Sequence, residues 1–565
     1  MQDQKNMIIK NPRLLPLLIL AAAAVVYFGS LWQRPLFVPD EIRYAEIPRE
    51  MLASGNWAVP HLAGLPYFEK PAGGYWLSAL ALRVFGENPF AVRFFSALCT
   101  LLTSGVIYLL VRRGNDKPAA LTAMMLYLST GLVAAVGTYA VLDAQFVFFV
   151  VLAVCMGYFY STASRLSERL ACLALSGIAL GCGIMIKGLL APFLAGLAMT
   201  GFFIWQKEYK KLFFAIVPVM IFMLFSALPG AWYMHLAAPG FWKEFIMGEH
   251  LSRAVSGAGA ADDRSQPFWY YIPVLTIGLL PTLLFVPSAA AAVGKQWKAF
   301  FKDPLMRLCA STVVLWVLFF SCASGKLATY VLPCFPFMVI MIAKGLCLAA
   351  DTDKLWISNR IFKVFAAVLG VAALLFVCWH FMKFIPGKYK LCSPRESAAL
   401  FMTVLVVVLW FNMAARTEDT FARRKLRYYI TGMAILLFSV PILMPQKVVR
   451  FHAPERFILR TVAQHFSDGT KIYADGSMAA AVVWSCKLNS VDVMFKPGEL
   501  LPGLKKVGRT AFSIQSLKEQ ALDPARSHSI IIFTRSRRRV REFPAPKTVL
   551  SSGRNYAVIY KGKEK

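Results

Sequence analysis

Charge is what this chain has least of. Only 16% of its 565 residues are Asp, Glu, Lys or Arg, where a soluble protein carries about 25%. A surface that poor in charge cannot keep 58% hydrophobic residues in water. Acidic residues are scarcer still, 30 against 61 basic ones. The resulting net charge of +31 would suit nucleic acid in a soluble protein. In a chain this apolar, Lys and Arg instead mark cytoplasmic turns and anionic lipid contacts, so no nucleic-acid partner is expected. Phosphate-cradling loops of the form G-x-x-x-x-G-K-[ST] or G-x-G-x-x-G are missing, which leaves no nucleotide donor implied. The 11 cysteines fall mostly inside apolar runs, among them Cys99, Cys155 and Cys309, and show neither C-x-x-C nor Cys/His spacing. That rules out a zinc ribbon and gives no sign of a disulfide framework.

Long hydrophobic runs are abundant. Stretches of about 18 or more apolar residues recur along most of the chain, and each is long enough to span a bilayer. Thirteen such spans are read between residues 14 and 445; two of them, 169–186 and 188–205, nearly touch at Lys187-Gly188. The first is too long for the core of a cleaved signal. Basic turns near 112–117, 165–169, 207–211, 295–307, 354–363 and 416–427 are cytoplasmic by the positive-inside rule. The alternate side receives two long loops, 33–89 and 235–268, and the tail. The expected fold is therefore a polytopic α-helical membrane protein with a transmembrane part over 1–445 and a small outer α/β domain over 446–565. In that tail, β-like runs at 471–474, 529–533 and 555–560 alternate with a helix over 454–466. It holds 22 basic and 9 acidic residues, a net of +13. Attraction to phosphate-bearing lipid headgroups explains that charge, and so does a merely solvated basic surface.

The unusual polar residues lie on the outer side. After the first span comes Asp40-Glu41-Ile-Arg43-Tyr44-Ala-Glu46, in which Asp40, Arg43 and Tyr44 share one helix face. A plain amphipathic helix with local ion pairs would look the same. Further on, Tyr67-Phe-Glu69-Lys70-Pro-Ala-Gly-Gly-Tyr75-Trp surrounds a charged pair with aromatics. Lys70 there suits a lipid phosphate and Glu69 a sugar or a metal, against the simpler reading of an interfacial aromatic belt. Asp143 opens the fourth span, where an ionisable group is a functional candidate and an N-cap is the alternative. Lys187, between two spans, is treated alike. The second long loop contributes His250 and Arg253 beside a Gly/Ala-rich 256–261 stretch, and the loop before the tenth span contributes Lys326 and Tyr330. Lys326 could grip a phosphate or snorkel.

These residues resemble the GT-C membrane glycosyltransferases. The DEIRYAE and YFEKPAGGYW stretches look most like the lipid A aminoarabinose transferases, relatives of the protein O-mannosyltransferases. The resemblance implies inverting transfer of 4-amino-4-deoxy-L-arabinose from undecaprenyl phosphate to a lipid A phosphate at the periplasmic face of a bacterial inner membrane, with resistance to polymyxin and other cationic peptides as the outcome. It makes Asp40 and Asp143 the active-site acids and Lys70 the holder of the donor phosphate. Arg43, Tyr44, Tyr67, Arg253, Lys326 and Tyr330 join the substrate-binding set. Glu69 and His250 could share a divalent metal such as zinc; two ligands are too few for a structural site, so no cofactor is required. The rival readings are a related transferase using another sugar or a protein hydroxyl, and a lipid flippase or transporter. A transporter places charges mid-span and often shows two matching halves, neither of which is evident here.

The charge pattern makes a first prediction. Cysteine probes at Asn56 and Gly508 should label from the outer side of intact cells, and a probe at Asn115 should be shielded. External labelling at Asn115 would reverse the orientation.

Overall fold

The computed structural model describes residues 14–251, 265–381, 392–416, 422–523 and 528–562. The chain forms two compact units, each assembled from separated stretches. One comprises Met1–Gln33, Phe94–Ala231 and Arg264–Leu443; the other comprises Arg34–Arg93, Trp232–Asp263 and Met444–Lys565.

The first unit is helical. Among the described residues, eight helices are long and apolar enough to cross a membrane, or up to eleven if each of three bent pairs is one span. Leu14–Ser30 and Leu190–Gln206 are apolar but only 17 residues each. Every one of the thirteen expected runs is thus helical, while length and composition qualify eight to eleven of them as spans. The difference comes from the two short helices and the broken ones. Two of the breaks have a visible logic. Lys117–Leu128 turns through 62° into Gly131–Gly137, and Phe268–Leu279 turns through 87° into Thr282–Val293. A broken helix frees N–H and C=O groups that lipid cannot satisfy, so protein must meet them. Here the breaks serve each other. The Gly131 N–H donates to the Leu280 carbonyl at 2.7 Å, and the Thr130 and Thr282 hydroxyls lie 2.9 Å apart. A Cβ at residue 131 would sit 2.5 Å from that carbonyl oxygen, which reserves the position for glycine.

Position within the unit follows composition. The Asp143–Thr162 helix is 67% buried along its apolar window, whereas Tyr209–Ala237 is 6% buried and presents Phe213, Phe225 and other large apolar side chains outward. The first is an interior helix and the second a lipid-facing one.

The second unit mixes helices and strands. A short hairpin, β1 (His61–Leu62) with β2 (Leu65–Pro66), joins two helices of the first long loop, Asp40–Ser54 and Gly73–Phe85. The tail supplies β3 (Lys471–Ala474), β4 (Asp492–Val493), β5 (Ile530–Thr534), β6 (Thr548–Ser552) and β7 (Asn555–Tyr560). They form one sheet in the order β4-β3-β5-β7-β6, with β3 parallel to β4 and β5, and β7 antiparallel to β5 and β6. Central β5 reads Ile-Ile-Ile-Phe-Thr and is buried at every position, as a strand covered on both faces must be. Tyr473, Met494, Leu517, Ile530, Ile532 and Val558 fill the core.

The Asp40–Ser54 helix is aimed by one acid. Glu41 is fully buried and lies in the grip of two arginines. Arg93 reaches its two oxygens at 2.7 and 2.8 Å, Arg34 forms a second ion pair with it, and the Phe37 N–H adds a bond at 3.0 Å. The spare N–H groups of Arg93 donate to the carbonyls of Arg34 and Pro35. Burial alone would raise the Glu41 carboxyl, but Arg93 and Arg34 outweigh it and hold it at about 2. Two and a half turns on, Glu50 has the opposite fate. It accepts from the Gly64 N–H, but burial, and then neighbouring Glu46, push it up to about 9.

The two carboxyls make opposite predictions. A depressed carboxyl contributes stability that is present above about pH 4.5 and lost as pH falls towards 2; for Glu41 that is roughly 3 kcal/mol. A raised one contributes below its ordinary value and loses that contribution as pH climbs towards 9. Glu41→Gln should therefore lower the melting temperature sharply, since one lost partner of a buried pair costs about 3–5 kcal/mol. Glu50→Gln should raise it at pH 8. Thermal unfolding of the purified protein reads both, and equal shifts for the two variants would refute this assignment.

Candidate functional site

In the second unit the expected residues of the first loop converge on Arg43. Its guanidinium meets Asp40 at 3.2 Å one turn earlier on the same helix face. On its other side it forms an ion pair with Glu499, which a one-turn helix at Gly498–Leu500 brings from the tail. Asp40 remains about half exposed, while Arg43 is nearly buried. The Tyr67 hydroxyl donates to Glu69 at 2.9 Å, and Lys70 donates to the Glu69 carbonyl at 3.1 Å. Tyr44 stacks on Tyr75, with ring centres 5.9 Å apart. Burial pushes the Tyr67 and Tyr75 hydroxyls well above their ordinary range, so both stay donors at any working pH. Burial also raises the Glu499 carboxyl, against the pull of Arg43. Two donors in this cluster, Arg43 Nε and the Tyr75 hydroxyl, are buried with no partner among the described residues. Buried polar groups are nearly always satisfied, so these two call for a ligand or water oxygen.

In the first unit, Asp143 and Tyr330 line one small open recess together with Lys187, Phe146, Phe320 and Thr329. Asp143 is the first helical residue rather than its cap: Leu142 holds the cap position, and an Asp143 oxygen accepts from Lys187 at 2.8 Å. The Lys187 ammonium also lies 5.3 Å from the Phe146 ring centre. The charge at the end of one span is thus answered by the charge at the end of another. Lys326 lies outside this lining. Its ammonium donates to the carbonyls of Gln266 and Ala323 at 2.8 and 2.5 Å.

Arg253, the 256–261 stretch and the His250 side chain lie outside the described residues. No group of three or more His, Cys, Asp or Glu that could hold a metal is gathered among the described residues. Glu69 is instead engaged with Tyr67, so no step is built on a metal. Sequence reasoning missed three participants. Arg93 carried a usable signal, since a charge inside the apolar run 90–111 needs a partner. Glu41 sat inside the quoted motif but offered no hint that it faces two arginines. Glu499 had no signal, because only the fold brings residue 499 to residue 43.

With this geometry in view, comparison with known proteins is informative. Residues 16–245 match the family model described as dolichyl-phosphate-mannose-protein mannosyltransferase. An undecaprenyl phosphate-α-4-amino-4-deoxy-L-arabinose arabinosyl transferase of Aeromonas hydrophila is 33% identical over 85% of this chain and 86% of its own length. Arabinosyl transferase 1 of Pseudomonas fluorescens, with the same description, is 32% identical over 86% of this chain and 84% of its own. The fold resembles the crystal structure of ArnT from Cupriavidus metallidurans bound to undecaprenyl phosphate, with a TM-score of 0.81 over 97% of this chain and 99% of that one at 21% identity.

The Asp143–Lys187 pair makes a test that separates structure from chemistry. Asp143→Asn or Lys187→Met alone leaves a nearly buried charge without its partner and should lower thermal stability, by about 3 kcal/mol. The double variant should recover most of that loss. Sugar transfer should stay low in the double variant. Full recovery of both would make the pair purely structural.

Proposed function

This chain belongs to the undecaprenyl phosphate-α-4-amino-4-deoxy-L-arabinose arabinosyl transferases, and from that premise we propose how its residues serve the transfer. It is a multi-pass membrane glycosyltransferase. The donor is undecaprenyl-phosphate-linked 4-amino-4-deoxy-L-arabinose, the acceptor is a phosphate of lipid A, and the reaction occurs at the periplasmic face of the inner membrane. Capping an acceptor phosphate with an amino sugar removes negative charge from the surface and so weakens the attraction of polymyxin and other cationic peptides.

The observation that carries this reading is the cluster around Arg43. Asp40, Glu69 and Glu499 concentrate negative charge there, while Arg43 Nε and the Tyr75 hydroxyl have no acceptor among the described residues. A sugar bearing one ammonium and several hydroxyls matches that arrangement, its cation facing carboxylates and its oxygens facing the open donors. Lys70 takes the donor phosphate, whose charge grows as it leaves. The acceptor supplies its own nucleophile. A phosphate monoester has its second pKa near 6 and is largely a dianion at pH 7, so no side chain needs to remove a proton. The carboxylates Asp40 and Asp143 therefore orient the sugar and balance positive charge, including that developing at the anomeric carbon. Arg253, Lys326, Tyr330 and His250 are assigned supporting contacts to substrate, and a divalent metal at Glu69 and His250 is not needed by this scheme.

The family model's description as a protein mannosyltransferase favours one second reading, a protein hydroxyl acceptor. A hydroxyl must lose a proton, so that reading requires one Asp to act as a base.

Mass spectrometry of lipid A from cells with and without the protein should show a pentosamine addition that depends on it. Lys70→Ala should reduce transfer by about 100–1,000-fold, the usual loss when one donor to developing charge is removed. Transfer to lipid A should fall below about pH 6 with acceptor ionisation. Sustained transfer to dephosphorylated lipid A would replace the phosphate acceptor with a hydroxyl.

A further inference from the structure

The tail sheet brings arginines together without acids to answer them. β5 and β7 run antiparallel with Thr534 opposite Tyr556. The residue leaving β5, Arg535, and the residue leading into β7, Arg554, therefore emerge at the same end of the sheet. The helix Gln446–His452 ends there too. Gly553, at φ +64° in the β6–β7 turn, lies so close that a Cβ would sit 3.1 Å from the Phe451 Cα. Asn555 Nδ2 ties the same turn to the Arg450 carbonyl at 3.1 Å. Phe451 thus has two cations beside it: its ring centre is 4.7 Å from the Arg554 guanidinium carbon and 5.8 Å from that of Arg535, while the His452 ring, whose pKa is lowered by burial and then by the two arginines, has its centre 4.8 Å away.

The cluster is short of acceptors. Arg535 donates one N–H to the Phe451 carbonyl at 2.9 Å, and its Nε is buried with no partner among the described residues. No carboxylate pairs with the guanidinium of Arg535 or Arg554 among those residues. Asp475, the acid nearest in effect, is occupied by the Thr534 and Ser477 hydroxyls at 2.7 and 2.6 Å and by the Arg535 backbone N–H at 3.1 Å. Burial, and then Arg554, hold the Arg535 guanidinium below its ordinary range. Two guanidiniums held together with a donor unused are what a tetrahedral dianion relieves, since arginine forks match phosphate oxygens in pairs.

We propose that the Arg535–Arg554–His452 cluster around Phe451 is a binding site for a phosphate monoester on the headgroup of the acceptor lipid. The inference rests on the acceptor reading above and gives the tail's +13 charge a specific address. Covalent geometry favours a lipid over a soluble anion. Phe451 lies only nine residues along the chain from Ile442, where the apolar helix Ala422–Ile442 ends. On the other side, the Val38 N–H donates to the His452 carbonyl at 3.0 Å, two residues before Asp40. A glycolipid with two phosphates could present one here while the other accepts the sugar.

The test uses the full-length protein in nanodiscs and measures its affinity for bisphosphorylated lipid A, dephosphorylated lipid A and inorganic phosphate. Wild type should bind the phosphorylated lipid at least 10-fold more tightly than the dephosphorylated one. Arg554→Gln, a change at an exposed position that leaves folding intact, should lose several-fold, and Arg535→Gln/Arg554→Gln about 10-fold. In both, the KM for the acceptor should rise with kcat unchanged. Arg538→Gln, which removes an equal but fully exposed charge, should bind as wild type does. Wild-type affinity in Arg554→Gln and in a double variant that melts normally would overturn the proposal while leaving the transferase reading intact. Displacement of lipid by millimolar inorganic phosphate would overturn the headgroup assignment. Binding that depends on Arg554 without any sugar transfer would instead overturn the acceptor reading and keep the lipid-phosphate site.

Discussion

The grip of Arg34 and Arg93 on Glu41 is the constraint from which the second unit is built. A carboxylate with no exposure would be intolerable alone, because desolvation of an ion costs several kcal/mol. Two guanidiniums and a backbone N–H make it tolerable, and its tolerance becomes geometry. Arg34 precedes the Asp40–Ser54 helix, while Arg93 lies in the first turns of Pro89–Arg112. Glu41 therefore ties the entry and the exit of the first long loop to one point. Once that helix is aimed, the next residues on its surface are fixed as well: Asp40 beside the clamp, and Arg43 and Tyr44 one turn on. Glu499 then closes on Arg43 from more than 450 residues away in sequence, so the tail completes the cluster.

The distribution of charge within this chain has a chemical sense. Six of its 30 acidic residues fall in the single loop 33–89, in a protein that is otherwise strongly basic. Within that loop the acids are handled differently. Glu41 is held ionised by arginine, Glu50 is pushed towards its neutral form, and Asp40 is left about half exposed beside a shared arginine. One helix thus carries a structural anion, a neutral buried carboxyl and a solvent-accessible anion, distinguished only by their neighbours. Of these, Asp40 alone has both the charge and the access to meet a cationic ligand.

Much of the membrane part was legible in sequence because lipid leaves few choices: an apolar run of sufficient length has to be a helix. What could not be read was where such runs break. Ser129-Thr130 and Leu280-Pro281 interrupt two helices, and each break is stable only because the other supplies its missing hydrogen bond. No local pattern announces a partner 150 residues away. In the tail, β3, β5 and β7 were legible as apolar or alternating runs, whereas β4, at two residues, and polar β6 were not. The first-loop motif named residues that the fold does bring into contact, Asp40 with Arg43 and Tyr67 with Glu69, and Asp143 and Lys187 drew notice as charges at span ends. Their pairing was a tertiary fact, as was the role of Glu499. Local chemistry marks a residue as expensive, and the fold decides what answers it.

That distinction separates the two polar constellations by what each can do unaided. The Asp143–Lys187 pair is balanced: one anion meets one cation at 2.8 Å with an aromatic ring beside the ammonium, and it can persist without any ligand. The cluster around Arg43 is not balanced. Among the described residues it has more carboxylates than cations, and two buried donors without acceptors. A buried donor left without an acceptor costs about 1–3 kcal/mol, so Arg43 Nε and the Tyr75 hydroxyl call for an oxygen from water or from a bound molecule. Donors held in place by the fold before a ligand arrives lower the ordering cost of binding it. In the proposed scheme the glycosyl donor's ammonium faces these carboxylates and its hydroxyls face these donors, so charge and hydrogen bonding would act together in reading the sugar.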